Sequence, residues 1–282
     1  MNYKIIFILV IIALIVISIF LPTAKSPEKD EKEEINQSKD EYSSEENQQE
    51  EYQQHEIEKP ERELKDLREI MDKQAELYPD TFFIKGPEST KRIALTFDDG
   101  PEENNTPAIL DILAEKDVRA TFFLLGEHIE LFPEIVNRIK NEGHQLGNHS
   151  WSHPNFREKD SNTVIEKEIK KTSRKIENIT GVYPKLLRPP FGAILDQTIE
   201  TLKKDNWKIV NWSIDSLDWN TPRNNHHKII QKVQKLHHPG GIILMHNNMN
   251  SQSTVDALPA LIDTLREKGY EFNTIDELLF RR

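Results

Sequence analysis

The chain has 282 residues, 36% hydrophobic and 30% charged, with a formal net charge of −11 and no cysteine. This length supports one sizeable core or two small ones. The acidic balance argues against a nucleic-acid binder, which carries a basic face. The missing cysteines exclude a disulfide-stapled mini-protein, a thiolate metal site and a Cys nucleophile.

The charge is concentrated near the N-terminus. Residues 25–60 carry 13 Asp/Glu against 5 Lys/Arg and almost no aliphatic side chains. Such a segment cannot bury enough apolar surface to offset the entropy of ordering, so it is expected to be a disordered linker. It follows an apolar run, Ile5–Leu21, interrupted only by Ser18 and preceded by Lys4. As a helix the run would span roughly 25 Å, the short end of what crosses a bilayer. The positive charge ahead of it predicts an inside N-terminus. Ala24 offers a cleavage position, but Pro22 would then stand where a small residue is wanted, so residues 1–24 are expected to stay as a membrane anchor. Cleavage would instead release a secreted protein. Residues 61–84 follow as an amphipathic helix and connector, with Leu64, Leu67, Ile70, Met71, Ala75 and Tyr78 at helical spacing. This helix either packs on the following domain or frays from it.

From residue 85 to 282 short β-rich runs alternate with amphipathic helical stretches. The expected strands are Arg92–Phe97, Ala120–Leu125, Gln145–His149, Leu186–Arg188, Lys208–Ile214, Gly241–Met245 and Glu271–Thr274. The expected helices lie near Pro107–Lys116, Phe132–Asn141, Thr163–Thr180, Asp196–Asp205, Asn225–Leu236 and Ser253–Lys268. Alternation of this kind implies a parallel sheet. The fold class is therefore α/β, a small or distorted (β/α) barrel of about seven parallel strands. Chemistry in such folds gathers at the C-terminal ends of the strands.

Those ends are rich in functional side chains. Thr96-Phe97-Asp98-Asp99-Gly100-Pro101 places two adjacent carboxylates after the first run, which allows one to ligate a metal while its neighbour acts as base. Asn148-His149-Ser150-Trp151-Ser152-His153-Pro154 places two His four residues apart, a spacing that on a helical turn brings both imidazoles to one ion. Asp99, His149 and His153 together give a three-ligand site with an open position, the catalytic rather than the structural pattern. Arg188-Pro189-Pro190-Phe191-Gly192 is a rigid loop whose Arg188 can pair with a buried carboxylate. Asp215-Ser216-Leu217-Asp218-Trp219 adds two acids and a large aromatic. Leu244-Met245-His246 ends an apolar strand on a histidine.

In this order and spacing the five segments resemble the five motifs of the polysaccharide deacetylase family, carbohydrate esterase family 4, over residues 85–282. The resemblance implies a metal-dependent hydrolase. Asp98 matches the family's general base, and Asp99, His149 and His153 its metal triad, usually zinc and sometimes cobalt or manganese. Arg188 matches the arginine that holds the base. Phe191 stands where the family often has Tyr and supplies a backbone N–H to an oxyanion hole. Trp219 matches a groove wall, Leu244 the lining of the acetyl-methyl pocket, His246 the general acid and Asp218 the carboxylate that orients it. Whether Asp215 shares that work is left open.

The implied activity is removal of N-acetyl groups from a cell-envelope glycan, with peptidoglycan N-acetylglucosamine as the first expectation for an enzyme tethered beside the wall. An O-acetyl esterase acting on a polysaccharide and a non-catalytic glycan-binding protein are the alternatives. The implied partners are the N-acetylated polysaccharide and, through the N-terminal helix, the membrane. The catalytic domain is expected outside the cytoplasm on a single-pass anchor, and neither a nucleic acid nor a protein partner is inferred.

Overall fold

The computed structural model describes residues 65–220 and 225–281. The expected anchor at 1–24 and linker at 25–60 lie outside the described residues. Among the described residues no helix is long and apolar enough to cross a membrane.

A first helix, α1 (residues 65–77), is followed by a short strand, β1 (Phe82–Phe83). The remaining strands are β2 (Arg92–Asp98), β3 (Thr121–Leu124), β4 (Gln145–Asn148), β5 (Leu186–Leu187), β6 (Lys208–Val210), β7 (Ile214–Asp215), β8 (Gly241–His246) and β9 (Glu271–Phe272). All pairings are parallel. The order β1-β6-β5-β4-β3-β2-β8-β7, with β9 also on β2, makes one nine-stranded sheet. β1 and β7 end this path without pairing to each other, so the sheet forms an incomplete barrel.

The crossovers carry the helices α2 (Asn105–Glu115), α3 (Gly126–Leu131), α4 (Pro133–Asn141), α6 (Asp196–Lys204), α7 (His226–Leu236), α8 (Gln252–Glu267) and α9 (Ile275–Phe280). Between α4 and α6 runs α5, which starts at Ser161–Thr163, widens into a π-helix over Val164–Lys170 and returns to α-helix over Lys171–Thr180. Local chemistry fixes several ends. Asp160 and Asn225 accept from backbone N–H groups at the starts of α5 and α7, and Thr274 and Glu277 cap each other's backbone at α9.

Strand parity positions the site. In β2, Ile93, Leu95 and Phe97 join the core that also holds Ile109, Leu110 and Leu261 from α2 and α8. Ala94 faces the other way, into a second core with Phe123, Leu187, Ile209, Ile242 and Leu244. The period of two then puts Thr96 and Asp98 on that second face. β8 follows the same rule, with Ile243 and Met245 in the first core and Ile242 and Leu244 in the second. Asp98 and His246 are register partners on these two adjacent strands. Gly147 lets Phe123 lie flat here, since a Cβ at Gly147 would fall 2.5 Å from the Phe123 ring.

Three expectations are corrected. The run Lys208–Ile214 is two strands, β6 and β7, broken at residues 211–213. Here the carbonyls of Val210 and Asn211 accept from Arg188, and the Asn211 side chain donates to Gly192. Those bonds draw the backbone out of the ladder. With β1 added, the sheet has nine strands rather than about seven. The segment His149–His153 is not a helical turn: Ser150 and His153 take left-handed φ values of 81° and 57°.

Candidate active site and metal centre

β2 delivers two carboxylates that diverge. Asp98 lies on the strand and points to the inner face. Asp99 has φ 73°, a left-handed conformation that Asp tolerates better than most residues, and its side chain leaves in another direction. His128, on α3, places Nδ1 2.7 Å from the Asp99 carbonyl. Gly100 follows, and its N–H donates to Asn247 Oδ1 at 3.0 Å. A Cβ there would meet the Asn247 amide at 2.2 Å.

β4 hands over directly to the histidine loop. Ser150 N–H turns back onto Asn148 Oδ1 (2.8 Å), and His153 N–H donates to Ser150 Oγ (2.9 Å). Glu168, on the π-helical part of α5, accepts from the N–H groups of Trp151 and Ser152, both at 2.9 Å. The loop is thereby tied at four points, and the two imidazoles approach to 5.1 Å between ring centroids.

Asp99 Oδ1 lies 3.4 Å from Nε2 of His149 and 3.4 Å from Nε2 of His153. That oxygen is buried and has no hydrogen-bond partner. His149 Nδ1 is 2.8 Å from the Arg188 carbonyl, so this nitrogen carries the proton and Nε2 presents its lone pair to Asp99. Asp99 Oδ2 is held by Asn248 Nδ2 at 3.1 Å. A buried orphan oxygen facing two imidazole nitrogens is a good donor set for one divalent cation. Burial works against charge on Asp99, but His149, His246 and His153 together hold its carboxyl below the usual range. Burial, followed by the neighbouring His149, pushes His153 down, which favours the neutral ligand form.

Arg188 is fully buried and fully satisfied. Its Nε donates to Val210 O at 3.0 Å, Nη1 to Thr96 Oγ1 and Asp98 Oδ1, both at 2.8 Å, and Nη2 to Asn211 O at 3.3 Å. The guanidinium lies over the Phe123 ring at 4.2 Å. Asp98 Oδ2 is left facing the triad, 3.8 Å from His149 Nε2.

His246 closes β8. Its Nδ1 donates to Asp218 Oδ1 at 2.8 Å, and its backbone N–H donates to Asp218 Oδ2, also at 2.8 Å. Thr254 Oγ1, on α8, reaches Asp218 Oδ2 at 2.6 Å. Burial alone would lower the His246 pKa. The Asp218 carboxylate, helped by Asp99 and Asp98, overrides it and the value is pushed up to about 10. Asp215 Oδ1 accepts from Leu217 N–H at 2.9 Å and Trp219 Nε1 at 3.3 Å. Burial raises its pKa.

These groups open on a single cavity of about 380 Å³. Asp98, Asp99, His149, His153 and His246 line it with Leu244, Pro189, Phe191, Trp212, Asp215 and Trp219, and Leu67 joins them from α1. Phe191 (56% exposed) and Trp219 (44% exposed) show large apolar surface to solvent at its mouth. Phe191 has φ 58°.

All ten sequence-predicted site residues are therefore brought to one place: Arg188 and Asp218 stand behind the cavity and the other eight line it. Sequence reasoning missed the supporting partners Thr96, His128, Glu168, Asn248 and Thr254. Asn248 stood two residues beyond His246. The others carry no local signal.

A parallel βα sheet with an Asp-His-His cluster, a buried Asp–Arg pair and a His–Asp pair around one cavity defines a hydrolase that uses a divalent ion and water without a covalent nucleophile. Residues 85–210 match the family model described as polysaccharide deacetylase. The peptidoglycan-N-acetylglucosamine deacetylase of Bacillus cereus is 41% identical over 199 residues, covering 70% of this chain and 71% of the relative. That of Listeria monocytogenes is 40% identical over 200 residues, covering 69% of this chain and only 41% of the relative. The peptidoglycan-N-acetylmuramic acid deacetylase of Bacillus subtilis is 33% identical over 220 residues, covering 77% and 80%. A crystal structure of a peptidoglycan N-acetylglucosamine deacetylase with a naphthyl N-oxidanyl-benzamide superposes with a TM-score of 0.67 at 40% identity, covering 70% of this chain and 91% of that one. The chain belongs to the polysaccharide deacetylase family, carbohydrate esterase family 4.

Proposed function

We propose that the protein removes N-acetyl groups from peptidoglycan, acting on its N-acetylglucosamine residues with zinc in the Asp99-His149-His153 site. The observation that carries the chemistry is the register pairing of Asp98 with His246 across β2 and β8, on either side of that donor set. The choice of N-acetylglucosamine over N-acetylmuramic acid is supported by the higher identity to the relatives named for it, 41% and 40% against 33% and 37%.

Asp99, His149 and His153 would hold a divalent cation, which would supply Lewis acidity toward the acetamido carbonyl and water. Asp98 Oδ2, the oxygen that Arg188 leaves free, takes the proton of the attacking water. The Phe191 N–H donates to the oxygen on which negative charge develops. His246, with Nδ1 bound to Asp218, directs Nε2–H at the departing nitrogen and protonates it as the C–N bond breaks. Leu244 gives the acetyl methyl an apolar surface, and Trp219 offers a face on which a sugar ring can lie. The hydroxyl that Tyr would bring at the Phe191 position is absent, so this enzyme works without it.

We extend the proposal to location. The apolar run at 5–21 behind Lys4 and the acidic stretch at 25–60 support a single-pass anchor with the catalytic domain outside the cytoplasm. Protease added to wall-stripped cells should release the domain by cutting within 25–60, and protection until lysis would reverse the orientation.

The substrate is tested by incubating the zinc-loaded protein with purified peptidoglycan, digesting it with a muramidase and weighing the products. Loss of 42 Da, the mass difference of an acetyl for a hydrogen, is expected on the glucosamine ring as a matter of order-of-magnitude bookkeeping, about one acetyl per modified sugar. Loss confined to the muramic acid ring would move the assignment to that sugar.

A further inference from the structure

We infer that helix α1, which precedes the residues matched by the family model (85–210), is a working wall of the active site: Leu67 shapes the glycan subsite, and Met71 positions the loop that carries the Phe191 N–H. The inference rests on the deacetylase reading and adds a determinant to it.

The helix is fixed at three levels along one face. Arg68 Nη1 donates to the Trp212 carbonyl at 2.6 Å, and its charge acts on Asp215. Met71 is buried, and its Sδ lies 3.2 Å from where a Cβ on Gly192 would be. Gln74 Nε2 donates to Ile194 O at 3.0 Å and to Asp196 Oδ1 at 2.8 Å. The middle and the C-terminal end of the Pro190–Ile194 stretch are thus held from α1. The opposite face of the helix, including Glu69 and Glu76, meets solvent.

Two consequences differ in kind. Leu67 lines the cavity together with Trp219 and Leu244, so its side chain contributes contact area to a bound sugar without touching the reacting atoms. Met71 never meets the cavity. It acts through Gly192, the neighbour of Phe191, whose φ of 58° is a conformation that a non-glycine residue keeps only when its surroundings enforce it. Loosening that support should cost transition-state stabilisation and leave ground-state binding alone.

The test uses the zinc-loaded full-length chain with a β-1,4-linked N-acetylglucosamine tetrasaccharide, read by acetate release and by calorimetric binding. Leu67→Ala should raise KM and the dissociation constant about 3- to 10-fold with kcat kept, the size of lost apolar contact in a pocket. Met71→Ala should lower kcat about 10-fold with KM and zinc content kept, a fraction of the loss on removing an oxyanion donor. Met71→Leu should restore it, and Glu76→Ala on the solvent face should change nothing. Unchanged KM, dissociation constant and kcat in both Leu67→Ala and Met71→Ala would overturn the inference, as would a Met71→Ala protein that loses only thermal stability. A wild type that releases no acetate sinks the deacetylase reading instead, and calorimetry on Leu67→Ala then decides the wall by itself. A wild type that neither binds nor cleaves the glycan overturns both.

Discussion

Two buried carboxylates flank the metal site, each paired with a cation, and they are built for different work. Asp98 spends one oxygen on Arg188 and keeps the other open to the cavity. Asp218 spends both: Oδ1 takes His246 Nδ1, and Oδ2 takes the His246 backbone N–H and the Thr254 hydroxyl. A carboxylate with a free lone pair near a reacting water can receive a proton. A carboxylate with none can only orient and charge its partner. The cations differ to match. Arg188 is locked by four acceptors besides lying on Phe123 and never titrates, whereas His246 can give its proton away. The proposed division between base and acid rests on this count of unoccupied oxygens, and residue type alone does not reveal it.

The comparison breaks most completely if the ion between the two pairs is lost. His149→Ala removes one ligand and exposes Asp99 Oδ1 to a gap, so zinc content and acetate release should disappear together. A His149→Ala protein with stoichiometric zinc by atomic absorption would refute the donor set.

Next in size is the base. Asp98→Asn keeps a hydrogen-bond acceptor for Arg188 but cannot take the proton of water, and the loss of a positioned base should cost about 10²–10⁴-fold in kcat with zinc retained. Both Asp98→Asn and Asp98→Ala leave Arg188 a buried charge without its counter-charge, so each should lose about 3–5 kcal/mol of stability, Ala the more because it also removes the acceptor. If neither variant melts below the wild type, Asp98 and Arg188 are not a buried ion pair.

The smallest expected effect sharpens the other side. Thr254→Val removes one hydrogen bond to Asp218 Oδ2 and leaves the two from His246 intact. Its cost should be about 1–2 kcal/mol in thermal unfolding, the scale of one bond to a charged acceptor, with only a few-fold loss in kcat. A loss as large as that of Asp98→Asn would mean that Asp218 depends on Thr254 for its ionised state.

Much of this arrangement was legible in the sequence because parallel strands buried on both faces read as continuous apolar runs. Arg92–Asp98 and Gly241–His246 both end on the residues that matter. Once each run was a strand, its end residue faced the cavity. Shorter pieces left no pattern. Phe82–Phe83 is too brief to show alternation, and Gly126–Leu131 completes fewer than two turns before Phe132 leaves helical geometry. The histidine pair was found by spacing, but through a geometry the chain does not use. Its convergence comes from left-handed Ser150 and His153 and from Glu168, whose clamp on the loop is a tertiary contact sixteen and seventeen residues away. Helix α1 showed its apolar period, while its contact with the catalytic cavity could come only from three dimensions.

The central claim is that His246, charged by Asp218, is the acid. It is tested most directly by the pH dependence of kcat for the wild type, Asp218→Asn and His246→Gln on one N-acetylglucosamine oligomer. His246 is pushed up to about 10 by Asp218, helped by Asp99 and Asp98. Its acid form exists below that pKa, so the wild-type kcat should fall as pH rises through it. Asp218→Asn should move this alkaline limb down by about one unit or more, as expected when a partnering charge is removed. His246→Gln should lower kcat about 10²–10⁴-fold and abolish the limb. A His246→Gln enzyme that keeps both near-full turnover and the wild-type alkaline limb would contradict the account.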